Sequence, residues 1–482
     1  MRHSRDFQVC LAPEALERDP ELLDLARWAG CDEVWTAAFF YGYWPYDADS
    51  LTHWKATGEH LGLGVSVINV PLGHPGDSLG AQDADAFPLA PPSHWQLGTR
   101  PDGSHYSGTS LHPPATEENC AAVRKLAGLG YSKCFVDDDF RLAISPGQIG
   151  GCFCDAHRQR FLESHGYGQR QWEELLAELA SRSFSHLVRE WVDFTCDDLT
   201  ACFRAQQAAA GSMTMGNMVM FMGAEKAGLR LPDYTGALFR VGEGHFDDGS
   251  FGSPKGKCNE LFSALFHRRF TPGHLAWSET TAYPATALSA RNMAAKLAIS
   301  TLADVRHTCY MSGLTPFPKE HWDTLRPAMT EQKRFHALVM DSIPRGPFKH
   351  YWGEAGRYVG DDNPYSLWLA CGVPFEVVDS PTGEGWTFVA EQDQTALEAP
   401  GLASQSQCVT RRPAVGNLTN SRVVPEDLSA LWAFKESIKP QLSGAPYVEE
   451  ATPVVCAWYP AKHIVLRSEE RRVGKECRSR WS

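Results

Sequence analysis

Long apolar runs are missing from this chain of 482 residues, and without a window of about 18 consecutive apolar residues no membrane-crossing helix is expected. The first residues, MRHSRDFQVCLAPEALERD, lack an apolar stretch followed by a small-residue cleavage site. No secretory signal is therefore expected, and the expected compartment is the cytoplasm. Basic charge is also short. The 45 Lys and Arg stand against 58 Asp and Glu, a net charge of −13, and this argues against nucleic acid or an anionic membrane as partner. A glycine-rich phosphate loop is absent where a doubly wound dinucleotide fold would carry one: the first apolar run is followed by APEAL, and GSPKGKC further on lacks the P-loop spacing. The sequon at Asn417 has no meaning without secretion.

What is present is the composition of a folded protein, 43% hydrophobic and 11% aromatic, long enough for more than one domain. Fourteen cysteines without a signal sequence read as reduced thiols or metal ligands. Cys10, Cys202, Cys309 and Cys371 sit singly in apolar stretches and read as small core residues.

Strand-length apolar runs recur at 7–12, 33–40, 64–70, 133–139, 213–221, 237–244, 274–280 and 305–311, with helical patterns between them. In the stretch 171–209, Trp172, Leu175, Leu176 and Leu179 repeat at helical spacing, and Phe184, Leu187, Val188 and Trp191 continue the stripe. Gly30, Gly62 and Gly130 stand where helices should stop before the next strand. This β/α alternation predicts an α/β fold, a (β/α)8 TIM barrel over 1–341. Residues 71–114, rich in Pro and Gly, read as a long functional connection or lid. The segment from Ser342 to Pro364 reads as a linker. Beyond it YSLWLACG, PFEVVDS and GWTFVAEQ predict a smaller α/β domain over 342–442, and PVVCAWY and HIVL the start of a truncated β domain over 443–466. The last stretch, 467–482, has six basic residues against three acidic and little that is apolar. It resembles a vector-derived read-through tail and is set aside as non-native.

In a TIM barrel the chemistry sits at the C-terminal ends of the strands. Strand four ends in Asp137, Asp138 and Asp139, strand six in Glu243 and His245, and strand seven in Glu279. One carboxyl that donates a proton and a second that attacks the anomeric carbon or activates water are what glycoside hydrolysis requires. Mutual repulsion among three aspartates raises the pKa of at least one, as a general acid needs. The catalytic expectation falls on Asp139 and Glu279. Asp138, Glu243 and His245 are candidate substrate contacts, and Glu243 is the reserve for either catalytic role. Trp44, Trp277 and Trp322 are candidate platforms for the apolar faces of sugar rings.

In GGCFCDAH, Cys152, Cys154 and His157 follow the proposed acid with C-x-C-x-x-H spacing, half of a plausible structural zinc site. His112, in SLHPPATEEN, is the first choice for a fourth ligand. No cofactor is needed for the chemistry itself. Two other classes fit the same residues: a sugar-binding barrel without catalysis, and a metal-dependent hydrolase using Asp137–Asp139 with His245.

The order of strand-four acid, C-x-C-x-x-ligand, strand-seven Glu and smaller α/β domain resembles the β-galactosidases of glycoside hydrolase family 42. SETTAYPATALSARNMAAKLA is the most family-like stretch. The resemblance implies a retaining glycosidase that cleaves a β-glycosidic bond, with a trimerisation domain, and hence a homotrimer acting on carbohydrate. It puts the family's Asn-Glu pair on Asp138 and Asp139, the nucleophile on Glu279, and the zinc cluster on Cys152, Cys154 and His157 with His112 at the upstream position. Two departures stand out: Asp139 replaces a Glu, and two histidines replace cysteines.

Overall fold

The computed structural model describes residues 5–73, 91–137, 140–142, 148–219, 222, 225–313, 315–381, 384–396, 407–414, 418, 421–442 and 444–469. Eight parallel strands close into a barrel: β1 (Asp6–Cys10), β2 (Glu33–Phe40), β3 (Gly64–Val70), β4 (Lys133–Val136), β5 (Thr214–Met218), β6 (Leu238–Arg240), β7 (Ala276–Thr281) and β8 (His307–Met311). Each strand pairs with its sequence neighbours, and β8 closes the ring on β1 through Gln8 opposite Cys309. The strands are near-continuous apolar runs because both faces are covered. Outward residues meet the helices. Inward residues Cys10, Trp35, Phe135, Leu238, Trp277 and Cys309 fill the interior as a plug.

The helices follow from caps and stops. Asp47, Ser185, Ser253 and Ser289 accept backbone N–H bonds at the starts of α3 (Ala48–His60), α7 (His186–Ala210), α9 (Pro254–His267) and α10 (Ala290–Leu302). Gly30, Gly62 and Gly130 all have φ between +81° and +99°, the left-handed stop a side chain would disfavour. The stripe read across 171–209 divides into α6 (Gln169–Ser181) and α7, broken where Arg182 turns left-handed and bonds Val359 O. Among the described residues, the fifth unit has only short 3-10 turns in place of a helix.

At the N-terminal end, one polar cluster ties the closing seam to the outer helices. Arg5 donates to Thr301 and to His336 Nδ1 (3.2 Å), and His336 Nε2 donates to Asp304 (2.8 Å). Arg268 and Arg306 complete the partners of Asp304. Burial, with Arg5 and Arg306 beside it and against the pull of Asp304, lowers the His336 pKa to about 4. The native protein therefore resists a proton that the unfolded chain accepts below its own pKa of about 6.5. Stability should fall as pH drops through that window, by up to about 1.4 kcal/mol per pH unit from this group alone. Thermal melts from pH 7 to pH 4 should be steeper for the wild type than for His336→Gln, which cannot titrate. Equal slopes would refute the assignment.

Residues 342–364, expected as a linker, contain an inner strand of a second sheet. That sheet is parallel and five-stranded, with strands β9 (Phe348–Tyr351), β10 (Phe375–Val378), β11 (Trp386–Val389), β12 (Gln407–Thr410) and β13 (Ser421–Val423) in the order β10-β9-β11-β12-β13. The run FKHY looks polar, yet Lys349 and His350 are buried, His350 against Phe262 of α9. The sheet is fastened to the barrel by Arg357–Glu225 (2.6 Å) and Lys226–Asp362 (2.7 Å). HIVL has its partner upstream: β14 (Val454–Tyr459) pairs antiparallel with β15 (Ile464–Glu469), which runs three residues into the stretch set aside as non-native. Within 71–114 the described part is not structureless. It forms a hairpin of Leu97–Thr99 with His105–Thr109. Among the described residues no helix is long and apolar enough to cross a membrane.

Candidate active site

Alternation along β7 puts Trp277, Glu279 and Thr281 on one side, and Trp277 in the interior plug identifies that side as inward. Glu279 stands two residues nearer the C-terminal mouth and is 3% exposed. Its Oε1 accepts from Thr281 Oγ1 at 2.8 Å and lies 3.4 Å from the Arg240 guanidinium. Arg240 ends β6 inside the barrel, 1% exposed, and also meets the Asp137 carboxylate just past β4, at 3.5 Å. A buried guanidinium is tolerated only when paired, and this one bridges carboxylates from β4 and β7. The hydroxyl and the guanidinium are two of the partners that hold this carboxylate. Asp138 and Asp139 lie outside the described residues.

A second charged group lies behind the first. Lys296 of α10 is 3.1 Å from Glu243 Oε2 and 3.5 Å from Glu260 Oε1 of α9, and all three side chains are buried. Burial, reinforced by Glu260 and Glu279 and opposed by Lys296, pushes Glu243 well above the usual carboxylate range. Burial also works to raise Glu260, but Lys296 and His245 outweigh it and hold that carboxyl below its ordinary value. Lys296, which burial alone would lower, is raised by Glu260 and Glu243. The cluster thus holds Lys296 and Glu260 in their charged forms, while burial favours the neutral form of Glu243. Glu243, expected from sequence as a substrate contact or reserve catalytic group, is a buried partner of Lys296. His245 is different. Its backbone N–H donates to Glu260 at 2.9 Å, its Nδ1 lies 3.0 Å from the same oxygen, and its side chain is 22% exposed.

The cysteine–histidine motif also assembles in part. His112 Nε2 is 3.3 Å and His157 Nδ1 3.1 Å from Cys154 Sγ, and these ligand atoms all lie within 4.8 Å of one another. A zinc-centred tetrahedron has N···S edges of about 3.5 Å, so the three residues fit the ion. Cys152 stands beside this group and not within it. It hydrogen-bonds Cys154, and the Thr99 N–H of the hairpin donates to its sulfur at 3.4 Å. The hydrogen bond from Cys152, with those from His157 and His112, lowers the Cys154 pKa against burial. Asp198 of α7 approaches the far nitrogen of His157 at 3.4 Å, the second contact that fixes a ligating imidazole.

No family model matches the chain, and no curated protein does. Solved structures do. The β-galactosidase of Bacillus circulans sp. alkalophilus is 11% identical, with 84% of this chain and 71% of that one covered and a TM-score of 0.55. The β-galactosidase of the psychrophilic Marinomonas ef1 is 11% identical over 84% of this chain and 75% of that one, with a TM-score of 0.52. α-L-Fucosidase isoenzyme 2 of Paenibacillus thiaminolyticus gives 11%, 86%, 65% and 0.50. This chain has a TIM-barrel fold, shared with these structures. At such identities the likeness is one of fold, and the chemistry must be argued from the site.

In this barrel two of the expected sugar platforms are core rings. Trp277 is stacked on His307, with centroids 3.8 Å apart inside the barrel, and Trp322 packs edge-on against Tyr310 behind β8. Both are nearly inaccessible, 3% and 4% exposed, so neither offers a face to a ligand. Trp44 is half-buried past β2, with Lys125 over its ring at 3.8 Å. Sequence reasoning passed over Arg240, Glu260 and Lys296. The signal was present: each is a lone charge in an apolar run, LFRV, NELFSALF and AAKLAIS, and the same rule picked out Glu279 in LAWSETT.

Proposed function

We propose that the protein is a glycoside hydrolase that cleaves a β-glycosidic bond with two carboxylates and net retention at the anomeric carbon. The observation that carries this reading is the buried, inward-facing Glu279 at the mouth end of β7, held by Thr281 and by an arginine that also meets the end of β4. A nucleophilic carboxylate must be charged and aimed before substrate arrives. Glu279 takes that role. Asp139 is the acid that protonates the leaving oxygen and then the base that activates water, with Asp138 beside it for a sugar hydroxyl. A divalent-ion hydrolase at the strand-four aspartates is disfavoured, because the Arg240 guanidinium stands where it would repel a cation from Asp137. The second part of the proposal is a structural zinc ion held by His112, Cys154 and His157, which would supply rigidity to the loops after β3 and β4.

The test is a panel of p-nitrophenyl β-galactoside, glucoside, mannoside, fucoside and arabinoside. Wild type should hydrolyse at least one, with the first-formed sugar β-configured by NMR. Asp139→Asn should lose roughly 10²- to 10⁴-fold in kcat/KM. Turnover that survives Asp139→Asn would transfer the acid role to Asp138 or Glu243. A folded wild type inert on the whole panel would overturn the glycosidase reading.

A further inference from the structure

The loop after β4 is held from the next βα unit. Phe140 N–H donates to Asp137 O at 2.8 Å, and Phe140, Arg141 and Leu142 are all buried. Leu142 N–H then donates to Ala227 O (3.0 Å) and Gly150 N–H to Lys226 O (2.7 Å). Both carbonyls belong to one 3-10 turn after β5, Glu225–Ala227. The second domain (β9–β13) grips the same turn from the other side. Lys226 is 1% exposed, and its Nζ donates to Gly360 O and to the Asp362 carboxylate, each at 2.7 Å. Glu225 is equally buried and accepts from Arg357 at 2.6 Å. Arg357 lies in a short helix after β9, Glu354–Val359, and Gly360 and Asp362 lie just past it. Three neighbouring residues thus carry side-chain bonds to the second domain and backbone bonds to the β4 loop. Apolar side chains would fasten the two domains without desolvating two charges. What directed, charge-assisted bonds add is one fixed placement of the turn.

We propose that Lys226 and Glu225 are positioning residues that couple the second domain to the loop after β4, so that this domain sets the place of the acid Asp139 without touching substrate. The proposal rests on the glycosidase reading for the role of Asp139. In sequence Asp139 stands between Asp137, which meets Arg240, and Phe140. A turn that shifts takes the partners of Leu142 and Gly150 with it, and the acid's segment loses its fixed far end. General-acid catalysis is sensitive to such displacement, because the proton must be delivered within hydrogen-bond reach of the leaving oxygen.

The experiment has a chemical arm and a structural arm. The chemical arm compares kcat/KM for the phenyl and the 2,4-dinitrophenyl β-glycoside of a sugar the wild type accepts. The phenolate of the first needs a proton as it leaves, and that of the second does not. Lys226→Met should lose roughly ten- to hundredfold on the phenyl glycoside and less than about threefold on the dinitrophenyl one. Asp362→Asn should shift both values in the same direction by less, and it keeps a residue suited to the left-handed backbone there (φ +58°). Should Lys226→Met not fold, Asp362→Asn carries the test. Lys255→Met removes a different tie to the second domain, Lys255–Glu426 at 2.9 Å, and should leave the ratio of the two substrates unchanged. The structural arm is hydrogen exchange at the Leu142 and Gly150 amides, which should quicken about tenfold in Lys226→Met and not in Lys255→Met. Equal losses on both substrates would mean general destabilisation and overturn the positioning role. Unchanged exchange at both amides would overturn the coupling. Quickened exchange in a folded protein that hydrolyses no glycoside upholds the coupling and sinks only the glycosidase reading.

Discussion

Glu279→Gln should abolish hydrolysis of every β-glycoside the wild type accepts, with a loss of at least about 10³-fold in kcat, while the protein stays folded. The amide is nearly isosteric and can still accept from Thr281, so packing at this 3%-exposed position changes little. What it cannot do is attack an anomeric carbon. The variant also leaves Arg240 with one fewer anionic partner, but Asp137 remains within 3.5 Å, so a buried, wholly unpaired guanidinium is avoided. Glu279→Ala supplies the decisive arm. It opens a carboxylate-sized space on the nucleophile's face of the sugar, and added azide should enter it and displace an activated aryl leaving group. The product expected is the α-glycosyl azide, inverted because one displacement replaces two. A β-configured azide would mean that the vacated position belongs to the acid/base, and no rescue with full residual turnover would remove Glu279 from the chemistry.

The contrast between Glu279 and the aromatic candidates shows what a sequence discloses of such a site. The barrel was legible because its physics is local and repeated: eight apolar runs of strand length and helices closed by glycine stops. Glu279 was legible because a charge in an apolar run has few structural excuses. Trp277 and Trp322 were not, since a tryptophan near a strand end is equally suited to a plug or a platform, and only the burial of both faces decides. Arg240, Glu260 and Lys296 lie far apart in sequence and acquire meaning through contacts that barrel closure creates. β9 was hidden for a related reason. FKHY has charged and polar letters, but Lys349 and His350 are buried where the second sheet meets the barrel, and tertiary packing overrides the local pattern.

The largest stability effect is expected at the Cys–His cluster. The cluster joins two loops: the hairpin reaches this region through Phe153 N–H to Thr99 O (2.9 Å), and His112 and Cys154 belong to loops after different strands. A metal bridging them links segments 42 residues apart in sequence, and its binding energy becomes folding energy because the unfolded chain has no such site. Mass spectrometry of the native protein should find one zinc per chain. Removing it with a strong chelator, or substituting Cys154→Ser, should lower the melting temperature by roughly 3–5 °C, the equivalent of about 3–5 kcal/mol in a protein of this size. Turnover at 25 °C should persist in the chelated protein, because the carboxylates on β4 and β7 are held by Arg240 and Thr281 and not by the cluster. Cys152→Ser separates two versions of the site. If Cys152 is only a neighbour hydrogen-bonded to Cys154, zinc content stays at one. If it swings in as the fourth ligand, zinc is lost as readily as in Cys154→Ser. Zinc-free native protein with an unshifted melt in Cys154→Ser would reduce the cluster to a buried thiolate between two imidazoles.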